Sequence, residues 1–223
     1  EVHALMGENG AGKSTLVKII TGVVKQNSGT VFYDGKEMNI SHPKEIFDLG
    51  IGIVYQEFNL MPDLTVAENI FISREPGNRF FLNDKKTTNM AKNILNELEC
   101  QIDPLRKVSD LSVAEQQMVE IAKSLSYNCR LLIMDEPTAA LTDNEISVLF
   151  KIIKKLRDKG VAIIYISHRM SDLDALVDVV SVLRDGNLIS TRPYHSNLKD
   201  MLICEMVGRD LTQQFPPKPD YKR

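Results

Sequence analysis

The sequence has few cysteines, little net charge and no long apolar run, and each shortage excludes a class of protein. Its three cysteines, Cys100, Cys129 and Cys204, are widely spaced and form no CxxC pair, so we expect idle or buried thiols in a reducing compartment. The net charge of -3 argues against a nucleic-acid partner bound through bulk positive charge. No apolar run approaches the ~20 residues that span a membrane. What remains is an ordinary globular composition, 43% hydrophobic and 26% charged.

Short apolar runs alternate with helical patterns along the chain. The runs that predict strands lie at 2–7, 51–56, 130–136 and 161–167. The last two are almost continuously apolar, which is typical of strands buried on both faces of a parallel sheet. Amphipathic helices are predicted over 13–23 and over a segment ending at Gly160, and hairpins over 31–38 and 179–190. We therefore expect an α/β fold with a mainly parallel central sheet and a small antiparallel portion.

A helical block interrupts this alternation. Residues 65–127 predict mainly helices, which divides the chain into an α/β core, residues 1–64 and 128–207, and an inserted helical subdomain, residues 65–127. Residues 208–223 end in the Pro-rich stretch FPPKPDYKR, which is typical of a linker. Because the chain starts at Glu1 inside a strand pattern, we expect it to be an N-terminally truncated piece of a longer protein.

Residues 7–14, GENGAGKS, fit the phosphate-loop pattern G-x-x-x-x-G-K-[ST] between a predicted strand and a predicted helix. The glycines let the backbone wrap a β-phosphate with successive N–H groups pointing inward. In this pattern Lys13 reaches the β- and γ-phosphates, and the Ser14 hydroxyl binds Mg²⁺. The alternative is a glycine-rich turn with a surface lysine, which the flanking strand and helix disfavour.

Polar side chains follow the predicted strands. At the end of LLIMDE, Asp135 is suited to hold Mg²⁺ through water and Glu136 to orient or deprotonate an attacking water, since phosphoryl transfer depends mainly on positioning and charge stabilisation. Gln56 ends the strand pattern at 51–56 and His168 follows the one at 161–167, at the edge where open α/β sheets bind ligands. Each of these residues alone is also compatible with a solvated strand end or a structural histidine, so they gain meaning from the phosphate loop.

The stretch LSVAEQQ, residues 111–117, has the form of a helix start. Ser112 is a predicted N-cap and Glu115 stands three residues later, as in a capping box. A helix N-terminus also suits a phosphate, because its free N–H groups point outward. The sequence allows both interpretations, and we expect the Glu115 side chain to fold back onto the N-cap.

The order of these motifs resembles the nucleotide-binding domain of ATP-binding cassette (ABC) transporters over nearly the whole chain. GENGAGKST resembles the Walker A loop, LSVAEQQ the signature and LLIMDEP the Walker B motif. Gln56 matches the Q-loop, AALT at 139–142 the D-loop, and His168 the switch position. Further segments resemble the first half of the tandem ATPase subunits of monosaccharide importers of the ribose/galactose/arabinose/xylose type: VYQEFNLMPDLTVAENIF, MVEIAK, DEPTAALT, ISHRM and MVGRDL.

The resemblance implies a P-loop NTPase fold with a site for ATP and Mg²⁺. It assigns catalysis to Glu136, His168 and Gln56. It assigns the metal to Ser14, Gln56 and Asp135. The residues that it places around ATP are Gly7, Asn9, Gly10, Ala11, Gly12, Lys13, Ser14, Thr15, Gln56, Ser112, Val113 and Ala114. The last three would cover the γ-phosphate held by a second domain, because two domains pair head to tail in this family.

The resemblance further implies an ATPase that powers monosaccharide import by nucleotide-driven dimerisation, as a peripheral subunit at the cytoplasmic face of the membrane. The implied partners are a second nucleotide-binding domain (a homologous half or another copy), transmembrane permease subunits and, indirectly, a periplasmic or extracellular sugar-binding protein. Coupling helices of the permease would dock near the Q-loop and the helical block. MVGRDL and the Pro-rich end favour a second half in the same protein.

The sequence also departs from the family pattern. Val113 and Ala114 stand where the common signature LSGGQ has glycines, Glu115 replaces its Gln, and Thr142 stands where many relatives have Asp. The aromatic residue that stacks on adenine upstream of the Walker strand is not in the sequence, so we expect weak ATP binding. These departures leave an alternative function open, that of a regulatory module that binds ATP without turnover. A non-transport member of the superfamily is a further alternative, which the lack of a coiled-coil insertion or basic arm disfavours.

Overall fold

Eight strands and eight helices make up most of the described chain, which comprises residues 1–40, 42–76 and 83–208. The strands are β1 (Val2–Met6), β2 (Phe32–Tyr33), β3 (Lys36–Glu37), β4 (Ile51–Val54), β5 (Leu131–Asp135), β6 (Ala162–Ile166), β7 (Val179–Arg184) and β8 (Asn187–Pro193). The helices are α1 (Lys13–Ile20), α2 (Glu45–Asp48), α3 (Val66–Phe71), α4 (Asp84–Glu97), α5 (Val113–Leu125), α6 (Asp143–Asp158), α7 (Met170–Leu176) and α8 (Lys199–Val207). Beyond Gly208, the predicted linker and the rest of MVGRDL lie outside the described residues.

Six strands form one sheet in the order β4-β5-β6-β1-β7-β8, and β2 and β3 pair separately. All neighbours in the large sheet are parallel except β7 and β8, which form an antiparallel hairpin. In the register of the central strand β1, Val2 lies opposite Ile163 and His3 opposite Val179. The predicted α/β class, with a mainly parallel sheet and a small antiparallel portion, is confirmed.

The central strands are buried because helices cover both faces of the sheet. Along β5, Leu132 and Met134 belong to one core cluster and Ile133 to a second, since successive side chains of a strand face opposite sides. The first cluster includes Leu149 of α6, and the second includes Val17 of α1. The carboxyl ends of the parallel strands meet at one edge of the sheet, and the loops that follow them extend from there.

Helices α3, α4 and α5 pack on one another, and α5 also contacts β4. Helix α3 starts with a capping box, in which Thr65 Oγ1 accepts from Glu68 N–H at 3.3 Å and Glu68 Oε2 accepts from Thr65 N–H at 2.7 Å. The buried Asn69 side chain holds the preceding loop, accepting from Met61 N–H at 2.7 Å and donating to Met61 O at 3.0 Å. The helical block is thus tied to the segment that follows β4.

Helix α1 and strand β4 end earlier than the sequence predicts, and most other predicted ends differ by one or two residues. Helix α1 ends at Ile20 and not at residue 23, because Gly22 adopts φ 70° and Val23 N–H donates to Lys18 O at 2.8 Å, which closes the helix. Strand β4 ends at Val54, so the residues up to 56 lie in a loop. Helices α2, α7 and α8 carry no prediction from the sequence pattern. Among the described residues, no helix combines the length and the apolar character that crossing a membrane demands.

All three cysteines are free, as the sequence predicts. Cys100 and Cys129 are partly buried, and burial raises the pKa of each thiol to about 11. Both thiols therefore stay protonated at neutral pH, and a protonated thiol is a poor nucleophile and a poor metal ligand.

Candidate functional site

The phosphate-loop pattern forms a turn between β1 and α1, with Gly12 as the N-cap of α1 in a left-handed conformation, φ 102°. The Lys13 side chain is buried, and its Nζ donates to Gly7 O at 2.8 Å and to Glu8 O at 3.1 Å. The ammonium group therefore lies inside the loop, on the loop's own carbonyls. A Cβ added at Gly10 (φ 86°) would meet no atom within 4 Å. The loop thus borders open space, which suits the oxygens of a phosphate.

Gly7 is required by close packing. A Cβ at this position would lie 2.5 Å from Leu183 O of β7 and 2.9 Å from Ala11 Cβ. Because no real Cβ approaches a backbone oxygen so closely, only glycine lets the loop lie against β7. The first N–H groups of α1 have no partner within the helix, and they point toward the same loop. The geometry is that of an anion-binding turn.

One cavity of about 590 Å³ brings together the three predicted metal-binding residues, Ser14, Gln56 and Asp135. Asp135 ends β5 and is half-buried. Burial raises the pKa of Asp135 and so does the charge of Glu136, whereas the Lys13 ammonium lowers it. Carboxylate, amide and hydroxyl oxygens are the ligand types that Mg²⁺ takes in proteins. The residues present therefore fit a magnesium ion at the rim of the phosphate loop.

Glu136 follows β5 in a left-handed conformation, φ 51°, and its N–H donates to Ile166 O at 2.9 Å. A non-glycine residue in this region is strained, and such strain persists only where the surrounding structure imposes it. His168 Nδ1 lies 2.9 Å from Glu136 Oε2, an ion-pair distance whose angles are not those of a hydrogen bond. The Glu136 side chain is 12% exposed and that of His168 62% exposed. Two of the three predicted catalytic side chains, Glu136 and His168, thus meet at the ends of neighbouring strands, with the carboxylate inside.

The signature stretch begins α5 with the predicted capping box. Ser112 Oγ accepts from Glu115 N–H at 3.3 Å, and Glu115 Oε2 accepts from Ser112 N–H at 2.8 Å. The Glu115 side chain is folded back onto the N-cap, as predicted. Ser112 and Val113 are exposed, and neither is among the described residues that line the cavity of Ser14 and Asp135. The N-terminus of α5 is therefore open to another molecule.

Arg106 neutralises the carboxylate of this capping box. Its Nη1 donates to Glu115 Oε1 at 2.7 Å, and its Nη2 donates to Asp110 O at 2.6 Å. Burial raises the pKa of Glu115, but the hydrogen bonds from Ser112 and Arg106 outweigh burial and bring it below the ordinary value. Glu115 is thus ionised and paired, which weakens its repulsion of an anion at this helix end. Sequence reasoning missed Arg106, since a residue nine positions upstream forms no local pattern with Glu115.

The loop that carries Gln56 is fastened to α5 by two side chains. Glu120 Oε1 accepts from Asn59 N–H at 2.7 Å, and Lys123 Nζ donates to Asn59 O at 2.8 Å. Glu120 is 3% exposed. Burial raises its pKa more than the Lys123 charge and the Asn59 N–H lower it. The helix that starts at Ser112 therefore also fixes the Q-loop, a contact for which the sequence offers no signal beyond the MVEIAK resemblance.

Thr142, the departure in the D-loop, begins α6. Its N–H and its Oγ1 both donate to Glu145 Oε2 at 2.8 Å. Threonine is a good N-cap residue, so the helix start is satisfied without the aspartate that many relatives carry.

Comparison with known proteins places these motifs in a family. The family described as ABC transporter matches residues 1–139. A putative ribose/galactose/methyl galactoside import ATP-binding protein of Halalkalibacterium halodurans is 49% identical over 223 residues, 99% of this chain and 42% of that protein. The galactose/methyl galactoside import ATP-binding protein MglA of Fusobacterium nucleatum is 48% identical over 217 residues, 97% of this chain and 43% of that protein. The chain thus spans about two fifths of the length of these relatives.

Solved structures of similar fold are ATP-binding cassettes. An ATP-binding cassette of an ABC transporter in its ADP conformation has a TM-score of 0.80 and 27% identity, with 93% of this chain and 86% of that chain covered. A dimeric bacterial ABC transporter cassette has a TM-score of 0.73 and 28% identity, with 87% of this chain and 86% of that chain covered. Since the family match takes in well over half of the residues, this chain belongs to the ABC transporter family and has the fold of its ATP-binding cassettes.

Proposed function

We propose that the chain binds ATP with Mg²⁺ and hydrolyses it, and that hydrolysis powers monosaccharide import. The observation that carries the proposal is the Glu136–His168 pair, 2.9 Å apart, at the sheet edge that also bears the phosphate loop. A mostly buried carboxylate beside an exposed imidazole is suited to orient a water molecule and to receive its proton. The family membership and the import ATP-binding proteins among the relatives support the same function.

The phosphates of ATP are held by the loop between β1 and α1. The open space beside Gly10 and the free N–H groups at the start of α1 support this assignment. Lys13 exchanges its contacts with Gly7 O and Glu8 O for phosphate oxygens. The full set of proposed nucleotide-binding residues in this loop is Gly7, Asn9, Gly10, Ala11, Gly12, Lys13, Ser14 and Thr15.

Ser14, Gln56 and Asp135 would hold Mg²⁺, since all three line one cavity. The ion would supply charge stabilisation at the phosphate oxygens. Glu136 positions the attacking water, Gln56 contributes a polar side chain to the cavity of Ser14 and Asp135, and His168 stabilises the γ-phosphate. Because phosphoryl transfer demands little covalent chemistry from the protein, the fixed placement of these side chains is the main contribution to the rate.

Ser112, Val113 and Ala114 serve the ATP site of a second cassette. Ser112 and Val113 are exposed at the start of α5 and Ala114 is partly exposed, and none of the three lines the cavity of Ser14 and Asp135, which supports this role. A related cassette is dimeric. The second cassette is a homologous half or another copy of this chain. The relatives' greater length favours a homologous half.

The further partners are permease subunits, which move the sugar, and indirectly a sugar-binding protein outside the membrane. The names of the relatives, which are import ATP-binding proteins for ribose, galactose and methyl galactoside, support this assignment. The chain would work as a peripheral subunit at the cytoplasmic face, with the permease contacting the cavity wall formed by the Q-loop and α5.

The Mg²⁺-dependent ATPase rate, measured against protein concentration, tests the proposal. Glu136→Gln serves as the blank, and His195→Ala, which removes an exposed histidine outside the site, is the control for His168→Ala. We expect a specific activity that rises with concentration and is lost in Glu136→Gln and His168→Ala, while both variants still bind a fluorescent ATP analogue. Binding without Glu136-dependent turnover, at every concentration and with the second half supplied, would instead favour a regulatory module.

A further inference from the structure

A buried carboxylate joins the two loops that carry Glu136 and His168. Asp172, in the first turn of α7, is 1% exposed. Its Oδ2 accepts three hydroxyl hydrogen bonds, which come from Thr138 at 2.9 Å, Tyr165 at 2.9 Å and Ser167 at 3.1 Å. Three donors converging on one oxygen form a network in which every hydroxyl has a partner, and such networks rigidify their surroundings.

The donors to this oxygen are distributed over both catalytic loops. Thr138 lies two residues after Glu136, in the segment that leads from β5 to the D-loop. Ser167 lies immediately before His168, at the end of β6. Asp172 therefore ties the backbone after Glu136 to the backbone before His168 through one carboxylate oxygen.

The residue after His168 is anchored to the same network. Arg169 N–H donates to Ser167 Oγ at 3.0 Å. The Arg169 guanidinium lies 3.8 Å from Asp172 Oδ1 on one side and 3.8 Å from Asp143 Oδ1 of α6 on the other. His168 is thus flanked on both sides by residues that depend on Asp172, while its own ring is mostly exposed.

The network adds to the backbone hydrogen bond from Glu136 N–H to Ile166 O in fixing the two loops, because the two catalytic side chains do little to hold each other. Glu136 Oε2 and His168 Nδ1 lie 2.9 Å apart without hydrogen-bond angles, so their own contact is weak. Burying a carboxylate is unfavourable unless its hydrogen bonds are satisfied. Asp172 accepts hydrogen bonds from hydroxyl groups in both loops, from Thr138 and from Ser167. Displacement of a catalytic group by about 1 Å is enough to lower a rate about a hundredfold.

We propose that Asp172 is a positioning residue that holds Glu136 and His168 in place for water attack on the γ-phosphate, an inference that rests on the proposed ATPase function. Asp172 touches neither nucleotide-binding nor metal-binding residues of the proposed site. Its loss should therefore lower kcat and leave the affinity for ATP unchanged.

The test compares Asp172→Asn with Asp174→Asn, a matched change in the same helix. Asp174 accepts from Tyr194 Oη at 2.7 Å and pairs with Lys199, and it has no contact with the catalytic loops. We expect kcat to fall at least about tenfold in Asp172→Asn, with KM and the ATP-analogue Kd within about twofold of the wild type. Asp174→Asn should keep the wild-type kcat. A kcat within about twofold of the wild type in Asp172→Asn, or an equal loss in both variants, overturns the proposal.

A second variant covers the case in which Asp172→Asn does not fold. Thr138→Val removes one hydroxyl of the network and keeps the volume of the side chain. It should lower kcat by a smaller factor than Asp172→Asn does and leave KM unchanged. Thr138→Ser, which keeps the hydroxyl, should have the wild-type kcat. A Thr138→Val protein with wild-type kcat contradicts the proposal.

An activity-independent measurement separates this proposal from the proposed function. The imidazole resonances of His168, one of 4 histidines, can be assigned by their absence in His168→Ala. In Asp172→Asn they should move toward their position in Glu136→Gln, because in both variants the ring loses its carboxylate neighbour. Unmoved resonances refute the positioning role whether or not the wild type hydrolyses ATP. A wild type without turnover, but with the expected resonance shift, refutes the proposed function and leaves the Asp172 network as a structural clamp.

Discussion

Removal of the Arg106 guanidinium should weaken the phosphate binding that we propose for the signature, without unfolding the chain. In Arg106→Ala, Glu115 keeps its hydrogen bond from Ser112 N–H but loses the cation 2.7 Å from its other oxygen. The pair contributes only about 0–1 kcal/mol to stability, since both side chains are partly exposed, at 39% and 30%. The unpaired carboxylate, however, would then lie at the helix end that faces the phosphate.

The expected effect on ATP affinity follows from Coulomb's law. At an assumed separation of about 7 Å, one unit charge repels another by about 0.6 kcal/mol in water and by about 2.4 kcal/mol at an effective dielectric constant of about 20. Since about 1.4 kcal/mol corresponds to a tenfold change, KM for ATP should rise by roughly threefold to fiftyfold. The rise should shrink in high salt, because the Debye length falls to about 3 Å at about 1 M salt, well below this separation.

A double-mutant cycle isolates this charge effect. Arg106→Ala also removes the hydrogen bond to Asp110 O, and this second loss is common to both backgrounds. In the Glu115→Gln background the substitution should therefore raise KM much less than in the wild type, because there is no charge left to expose. Arg106→Lys, which keeps a cation, should remain close to the wild type.

An equal rise in KM on Arg106→Ala in both backgrounds would contradict this charge effect. Equal effects would mean that Arg106 supports the loop through Asp110 and not through Glu115. An Arg106→Ala protein that binds and hydrolyses ATP like the wild type would mean that the capping box alone keeps the Glu115 carboxylate away from the phosphate.

Three further outcomes follow from the geometry. Gly7→Ala should lower the free energy of unfolding by about 1–3 kcal/mol, since its Cβ would lie 2.5 Å from Leu183 O; an unchanged urea midpoint would contradict the packing argument. Burial raises the pKa of Glu120, so the folded chain binds the proton more tightly than the unfolded chain, and stability is lost as pH rises above the ordinary value of 4.5. Glu120→Gln can still accept the backbone hydrogen bond, so its Tm should exceed that of the wild type at about pH 8 but not at about pH 4. A Tm difference between the two proteins that does not change with pH would refute this. Burial likewise raises the pKa of Asp135. As the pH is lowered, the Mg²⁺ concentration needed for half-saturation should therefore begin to rise at a higher pH than it would with a solvated aspartate. A half-saturation concentration that stays constant down to about pH 4.5 would count against the role of Asp135.

Local structure that depends on residues close together in the sequence could be predicted. The phosphate loop, the capping box at Ser112 and the hairpin turn at Asp34-Gly35 were all predicted, because each is set by a few residues at fixed spacing. In that turn both residues have positive φ, 52° and 74°, as the dipeptide predicts. The overlong helix prediction over 13–23 failed for a related reason: the apolar pattern continues after the backbone has already turned at Gly22.

Contacts between distant segments were not predictable from the sequence. Arg106 reaches Glu115 only because the chain passes through a 3₁₀ helix at Val108–Asp110 before α5 begins. The Asp172 network joins residues up to 34 positions apart, and its donors are common hydroxyl residues that form no motif. The left-handed conformation of Glu136 depends on the Ile166 carbonyl of a neighbouring strand. Side-chain direction and strand order decide all three, and neither is encoded in local spacing.

Helix α5 joins the signature to the Q-loop, so we expect the two to move together. Its N-terminus exposes Ser112, and its middle holds Asn59, three residues beyond Gln56, through Glu120 and Lys123. Eight residues of helix separate Ser112 from Glu120, about 12 Å along a rigid axis. The position of the signature relative to its own Q-loop is therefore fixed within the chain, whereas its position relative to a second cassette is not. A change at Gln56 that displaced Asn59 would displace Ser112 as well, unless the hydrogen bonds of Glu120 and Lys123 were broken first.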